Sequence, residues 1–420
     1  MKCNKDTFCL APWYEIRINS DGSVKYCQLT KEVSRADDFV HWFNKSEIVQ
    51  QSRRQLINGE SLKGCAICYE QDKLQMYSAR QRRNFEGAIH EKYFDESLKQ
   101  SPVLPRLQST EKTKPSYIHV SFNNLCNLSC RTCLPRNSTK LTQNLKKLNI
   151  IPIETPTLVD WTNNTVLWDS FLSLIDENKS LLSLHVMGGE PLYNDRFEKM
   201  IDWCIDTGNT DFCLSFVSNA TIYSDELFEK FSHFKTVQIE LSIENLHETN
   251  EFIRLGSSTE KVKNNILQFI NNKPENTNVY IRTVPQALSV EHYDTLIDFV
   301  LENKLVIDHN SMFDTDHLCI DVLPKEYKSA IAEKIRIKYL DILQGSNSID
   351  DLNLRNESHY QRSLKVHLEY VLHMLEKPEP INVEDLRKQF VSSLMSLETL
   401  YPKRFVELYP KLKDFYEKYS

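Results

Sequence analysis

Hydrophobic and polar positions follow three rhythms along the chain. Between about residues 117 and 322, short apolar runs with period-two alternation take turns with stretches of period near 3.6. The runs predict strands at 117–122, 183–187, 212–217, 237–243 and 279–284, with a sixth between 305 and 322. Helices are predicted between them at 197–207, 225–234, 260–271 and 293–302. Strands and helices alternating at this spacing predict βαβ units and a parallel sheet in an α/β protein. Six strands are too few for a closed eight-stranded barrel. From residue 324 the period is helical throughout, with helices expected at 326–343, 360–375, 383–400 and 405–419. Pro378 and Pro380 separate the second from the third. Before residue 110 the elements are short and mixed, with a basic helical-looking piece at 73–83. The polar stretch 108–115 reads as a linker. The expected organisation is 1–110, 116–323 and 324–420.

The strands carry polar residues where a doubly covered parallel sheet would be apolar. His119 and Ser121, His185, Glu240 and Ser242, and Tyr280 and Arg282 alternate with apolar neighbours, which puts each set on one face. That face is either a substrate surface or an internal hydrogen-bond network. His185, Glu240 and Arg282 are the substrate-contact candidates.

Composition narrows the chemistry. Nine glycines in 420 residues spell neither G-x-G-x-x-G nor G-x-x-x-x-G-K-[ST], so a glycine-rich phosphate cradle is excluded as a motif. The net charge of −7 is unevenly spread. Residues 1–115 hold 19 basic and 15 acidic side chains, and the rest carry the acidic excess. That asymmetry is too mild for a nucleic-acid footprint, and the cluster Lys73, Arg80, Arg82 and Arg83 reads as a solvated helix face. No apolar run reaches the ~18 residues of a membrane span, and the first residues lack the apolar core of a secretory signal. Eleven cysteines, an odd number in a long chain without that signal, point to metal ligation rather than disulfides.

Three of these cysteines, Cys126, Cys130 and Cys133, follow the first strand of the βα region in C-x3-C-x2-C spacing. Thiolates select zinc or an iron–sulfur cluster. A structural zinc site wants four ligands, and no fourth cysteine or histidine is close in sequence. The octapeptide resembles the cluster motif of the radical S-adenosylmethionine (SAM) enzymes. The resemblance implies a partial (β/α)6 TIM-like barrel and a 4Fe–4S cluster on the three cysteines. It also implies SAM on the fourth iron, and reductive cleavage of SAM to a 5′-deoxyadenosyl radical that abstracts a substrate hydrogen. Thr132 departs from the aromatic residue usual in the family at that position, which puts the adenine contact in doubt. Gly188-Gly189-Glu190-Pro191 resembles the family's GGEP motif for the SAM amino group; a plain turn is the alternative. Ser218 and Asn219, Ser242, and Arg254 lie where the family places further SAM contacts, the arginine for the carboxylate. A helix cap or a solvated arginine is the alternative for these.

A second cysteine set precedes the barrel. Cys9, twelve residues, Gly22, four residues and Cys27 resemble the start of an auxiliary-cluster module, and Cys65-x2-Cys68 supplies a second pair. With no further cysteine before Cys126, the arrangement resembles the short, twitch form of the SPASM modules, with four ligands for one auxiliary 4Fe–4S cluster. Many relatives carry this module after the barrel. A four-cysteine zinc knuckle is the alternative. Cys3 is a spare ligand or a spectator, and Cys204, Cys213 and Cys319 read as small core residues. The resemblance implies an oxidation or cross-link of an unidentified peptide, protein or small molecule. It also implies an electron donor such as flavodoxin or ferredoxin, and a reducing cytoplasm. The competing class is a non-catalytic zinc or Fe–S binding protein that docks partners through its C-terminal helices.

Overall fold

The computed structural model describes residues 3–73, 78–101, 113–310, 315–344 and 357–420. Most of the expected 108–115 linker and residues 74–77 of the expected basic helix lie outside them. The strands are β1 (Glu15–Ile18), β2 (Val24–Lys25), β3 (Tyr117–Val120), β4 (Ser129–Cys130) and β5 (Ser183–Val186). They continue as β6 (Cys213–Ser218), β7 (Thr236–Ser242), β8 (Arg254–Leu255), β9 (Thr277–Thr283) and β10 (Val306–His309). Eight form one sheet in the order β10-β9-β7-β6-β5-β3-β1-β2, and β4 pairs with β8 in a separate ribbon. Pairing is parallel for β1/β3, β3/β5, β5/β6 and β9/β10 and antiparallel for β1/β2. The fold is therefore mixed α/β with a mostly parallel sheet.

All six expected strands are present within one or two residues. The expected count is corrected to eight by β1 and β2, which come from the cysteine-rich N-terminal stretch. Ile16 sits beside Ile118 and Ile18 beside Val120, so the apolar positions of β1 continue those of β3. The β1–β2 turn needs Gly22, whose φ is +76° and where a Cβ would lie 2.9 Å from the Trp161 Cβ.

The chain divides into two compact units. One comprises 1–124, 158–216 and 230–237; the other comprises 125–157, 217–229 and 238–420. Strands β3 and β5 of the first unit alternate half-buried and buried positions, and β7 does the same in full period. The buried positions, among them Ile118, Val120, Leu184, Val186, Val237, Ile239 and Leu241, form the core.

The C-terminal helices run Lys325–Lys338, Leu340–Gln344, Glu357–Glu376 and Val383–Ser396. The last expected helix is split into Phe405–Leu408 and Lys413–Tyr419. Pro410 opens a 3-10 turn between them because it has no amide hydrogen to continue the first piece. Among the described residues, no helix is long and apolar enough to cross a membrane.

Candidate functional site

In the first unit, Cys9, Cys27, Cys65 and Cys68 line one pocket together with Glu15, Tyr26, Arg80 and Arg83. The two pairs are about 40 residues apart in sequence, and folding brings them to one place. Burial, then the neighbouring Cys27, Cys65 and Cys68, push the Cys9 thiol well up. Burial pushes Cys27 and Cys65 up to about 12. The thiols are therefore protonated near neutrality, and a metal centre would have to displace those protons. Among the described residues, no three His, Cys, Asp or Glu side chains are drawn into the geometry of a single metal ion. The soft, shielded donor set does suit an iron–sulfur group.

Glu15 joins this pocket to the sheet face, and sequence reasoning missed it. Its carboxylate is 1% exposed and meets Arg83 at 2.8 Å. It also accepts the N–H of Gln28, next to Cys27, at 3.1 Å. Burial alone would raise its pKa. Arg83, His119 and the Gln28 N–H overcome that, so the carboxyl lies below its ordinary value. The one available signal was a charged residue inside the apolar run before Ile16 and Ile18. The basic cluster is corrected by the same contacts. Arg83 is held by Glu15 and Glu86, and Arg80 is 2% exposed, 2.7 Å from Asp72. Two of its four members are thus internal ion-pair partners rather than a solvated face.

His119 lies in register with Arg17 on β1 and His185 on β5, and His185 with Ser215 on β6. The His185 ring meets the Ser215 hydroxyl at 2.7 Å. His119 has no hydrogen bond on either ring nitrogen, with Glu15 at 3.5 Å. Burial first, then His185, Arg83 and Arg17, hold its pKa at about 3 against the pull of Glu15. In the unfolded chain this imidazole takes a proton near pH 6.5; in the fold it refuses one. Stability should therefore fall as pH drops below 6.5, by about 1.4 kcal/mol per pH unit for such a histidine. Urea unfolding between pH 6.5 and 5 checks this, and His119→Gln should flatten the slope by that amount. An unchanged slope would refute it.

The Gly188-Gly189 turn follows β5. Gly188 has φ +76° and Gly189 +60°. A Cβ on Gly188 would stand 2.4 Å from the Ser121 hydroxyl oxygen, so only glycine fits. Glu190 is buried, and one of its carboxylate oxygens accepts the Leu192 N–H at 3.1 Å, capping the 3-10 turn Pro191–Tyr193.

The second unit holds the cysteine loop. Cys130 lies on β4 directly across from Arg254 on β8. Burial pushes the Cys130 thiol up to about 12 and Cys133 up to about 11, with Arg254 pulling the other way in both. Ser138 accepts the Leu141 N–H as a helix cap and donates to the Leu128 carbonyl at 2.6 Å, pinning the loop to helix Thr139–Lys147. Arg131, between two of the cysteines, is a second overlooked residue. Its guanidinium donates to the carbonyls of Phe252 (2.9 Å) and Leu397 (3.2 Å) and lies 3.8 Å from the Phe252 ring centroid. The C-terminal region thus holds the cysteine loop directly.

The remaining expected cofactor contacts divide by what they touch. The Asn219 amide donates to Asn127, next to Cys126, at 2.9 Å, and its carbonyl accepts from Thr221. It positions the loop. The Ser218 hydroxyl accepts the Ala220 N–H at 3.1 Å. The Ser242 hydroxyl, at the end of β7, has no hydrogen-bond partner among the described residues. Arg254 pairs with Glu244 at 2.8 Å, and its buried Nε has no partner. An unspent N–H beside Cys130 suits an anionic ligand. Of the substrate-contact candidates, Glu240 and Arg282 pair with each other at 2.7 Å, and Arg282 also meets Asp308 at 2.6 Å. Those two are paired with each other and partly exposed. Cys204 is buried on its helix, and Cys3, Cys213 and Cys319 are half-buried free thiols.

No protein-family model and no curated protein sequence matches the chain. Among solved structures it is similar to anSMEcpe with bound AdoMet, at 16% identity and TM-score 0.41, over 54% of this chain and 62% of that one. It therefore spans less than two thirds of that protein. It is also similar to Streptococcus suis SuiB bound to the precursor peptide SuiA, at 14% identity and TM-score 0.37, over 81% and 70% of the two chains. SuiB bound to S-adenosylmethionine matches at 13% identity and TM-score 0.35, over 78% and 67%.

Proposed function

We propose that the chain is a radical SAM enzyme. The observation that carries this is the cysteine loop itself: three thiols in C-x3-C-x2-C spacing, with Cys130 set across from an arginine whose Nε is unspent. Three ligands leave one iron of a 4Fe–4S cluster for SAM, which when bound supplies the radical chemistry. Cys126, Cys130 and Cys133 would hold the cluster. Arg254 would meet the SAM carboxylate, with Ser218, Asn219 and Ser242 as further contacts. Gly188, Gly189 and Glu190 would meet the amino group. In this reading the sheet is the wall of a partial barrel.

Cys9, Cys27, Cys65 and Cys68 would hold a twitch-type auxiliary 4Fe–4S cluster. With four protein ligands that cluster has no open iron, which favours taking an electron from a substrate radical over binding substrate. The reaction would be an oxidation or cross-link of a peptide, protein or small molecule, with flavodoxin or ferredoxin as donor in the cytoplasm. A four-thiol zinc site stays open for the N-terminal set, since the donor set suits both.

The test is anaerobic purification followed by incubation with SAM and dithionite. A brown protein with about eight irons per chain that forms 5′-deoxyadenosine is expected. A colourless protein with one or two zincs and no SAM cleavage overturns the proposal. About four irons plus one zinc would keep the enzyme and replace the auxiliary cluster.

A further inference from the structure

Helix Ala79–Glu86 lines the four-thiol pocket with Ala79, Arg80, Arg82 and Arg83. Its start is fixed by Ser78, whose hydroxyl accepts the Gln81 N–H at 3.2 Å and whose own N–H donates to the Gln81 side chain at 3.1 Å. Arg80 and Asn84 both donate to the Phe8 carbonyl, at 3.1 and 2.9 Å, and the Asn84 side-chain oxygen accepts the Leu10 N–H at 3.1 Å. Cys9 is thereby held from both sides. Arg83 reaches the Cys27 segment through Glu15, which accepts the Gln28 N–H.

Arg80 also connects to the Cys65 and Cys68 segment. Its Nε donates to Asp72 at 2.7 Å, and Asp72 lies one turn after Cys68 on helix Ala66–Lys73. The side chains of this pair are 2% and 15% exposed, and the second Asp72 oxygen is buried without a hydrogen-bond partner. The pair sets opposite charges against the same sulfurs. Burial raises the Cys68 thiol most; the Arg80 N–H, the Arg80 charge and the Ala79 N–H favour its thiolate, and Asp72 disfavours it. At Cys65, burial, Cys68 and Glu32 raise the thiol to about 12, against the Tyr69 hydroxyl and Arg80. A thiolate-bound cluster gains one negative charge on reduction. Its potential therefore follows nearby charge, hydrogen bonds to sulfur and exposure.

We propose that the Arg80–Asp72 pair sets the reduction potential of the cluster at Cys9, Cys27, Cys65 and Cys68, Arg80 raising it and Asp72 lowering it. The inference rests on the iron–sulfur reading of the N-terminal set. One electron is gained by the cluster, from the substrate radical in the reaction proposed above and from dithionite in the test. No bond forms or breaks at Arg80 or Asp72.

The test is an anaerobic redox titration of the full chain carrying Cys130→Ala, so that only the N-terminal cluster is loaded, read by the electron paramagnetic resonance of the reduced cluster. Arg80→Gln leaves the Asp72 charge unanswered and should lower the reduced-to-oxidised ratio at a fixed potential about tenfold, which is about 59 mV for one electron. Asp72→Asn should raise the ratio by a similar factor, and Arg80→Lys should stay close to the parent. Opposite signs for the two neutralising variants separate a charge effect from mere loosening of the pocket, which would move both the same way. If Arg80→Gln loses its iron, the sign of Asp72→Asn decides alone. A shift of Asp72→Asn to lower ratio, or shifts under about twofold in both variants, overturns the proposal and leaves the cluster. A zinc-loaded site with no reducible centre overturns the proposal and the iron–sulfur reading of this set together.

Discussion

Cys130→Ala is expected to abolish 5′-deoxyadenosine formation from SAM under dithionite and to lower bound iron from about eight to about four atoms per chain. Cys130 sits on a fixed element of the loop. It lies on the β4/β8 ribbon across from Arg254, and the next residue, Arg131, ties the loop to the Phe252 and Leu397 carbonyls. The loop is therefore positioned before any cluster binds, and removing one thiol subtracts a ligand without releasing the scaffold. Cys65→Ser is the reciprocal variant. It should lose the auxiliary irons and keep SAM cleavage, because Cys65 belongs to the pocket of the other unit. SAM cleavage surviving in Cys130→Ala would show that the central cysteines do not hold the reacting cluster.

Glu15→Ala is expected to cost about 3–5 kcal/mol of folding stability, the usual loss when one partner of a buried ion pair is removed. Glu15 answers three groups at once: Arg83, the Gln28 N–H and the nearby His119. Without it, Arg83 keeps Glu86 as its one carboxylate partner among the described residues, and the amide beside Cys27 loses its acceptor. Urea unfolding at pH 7 reads the loss as a lower midpoint at constant slope. A loss under about 1 kcal/mol would show that water replaces the carboxylate and that the site is not sealed. Glu15→Gln should recover the amide contact and leave the charge unanswered, so it should fall between the two.

Legibility in the sequence followed the range of the forces. The six βα strands were readable because alternation is local and burial of one face enforces it. The polar set His119, His185, Glu240 and Arg282 was readable for the same reason. β1 and β2 were not, because a four-residue run such as Glu15–Ile18 becomes a strand only when β3 supplies its hydrogen bonds about 100 residues later. Arg80 and Arg83 look solvated in a list of basic residues; Asp72 and Glu15 make them internal.

By itself the sequence determined the donor types and their spacing: three thiols in one octapeptide, four more in two pairs, and an adjacent Gly-Gly pair. These are covalent or steric properties of adjacent residues and need no partner. The tertiary structure alone decided which groups meet. It brought Cys9 and Cys27 to Cys65 and Cys68, set Arg254 across from Cys130, and tied Arg80 to the Phe8 carbonyl. Such contacts join residues tens to more than a hundred positions apart. Their energies depend on burial and distance, which no local pattern encodes.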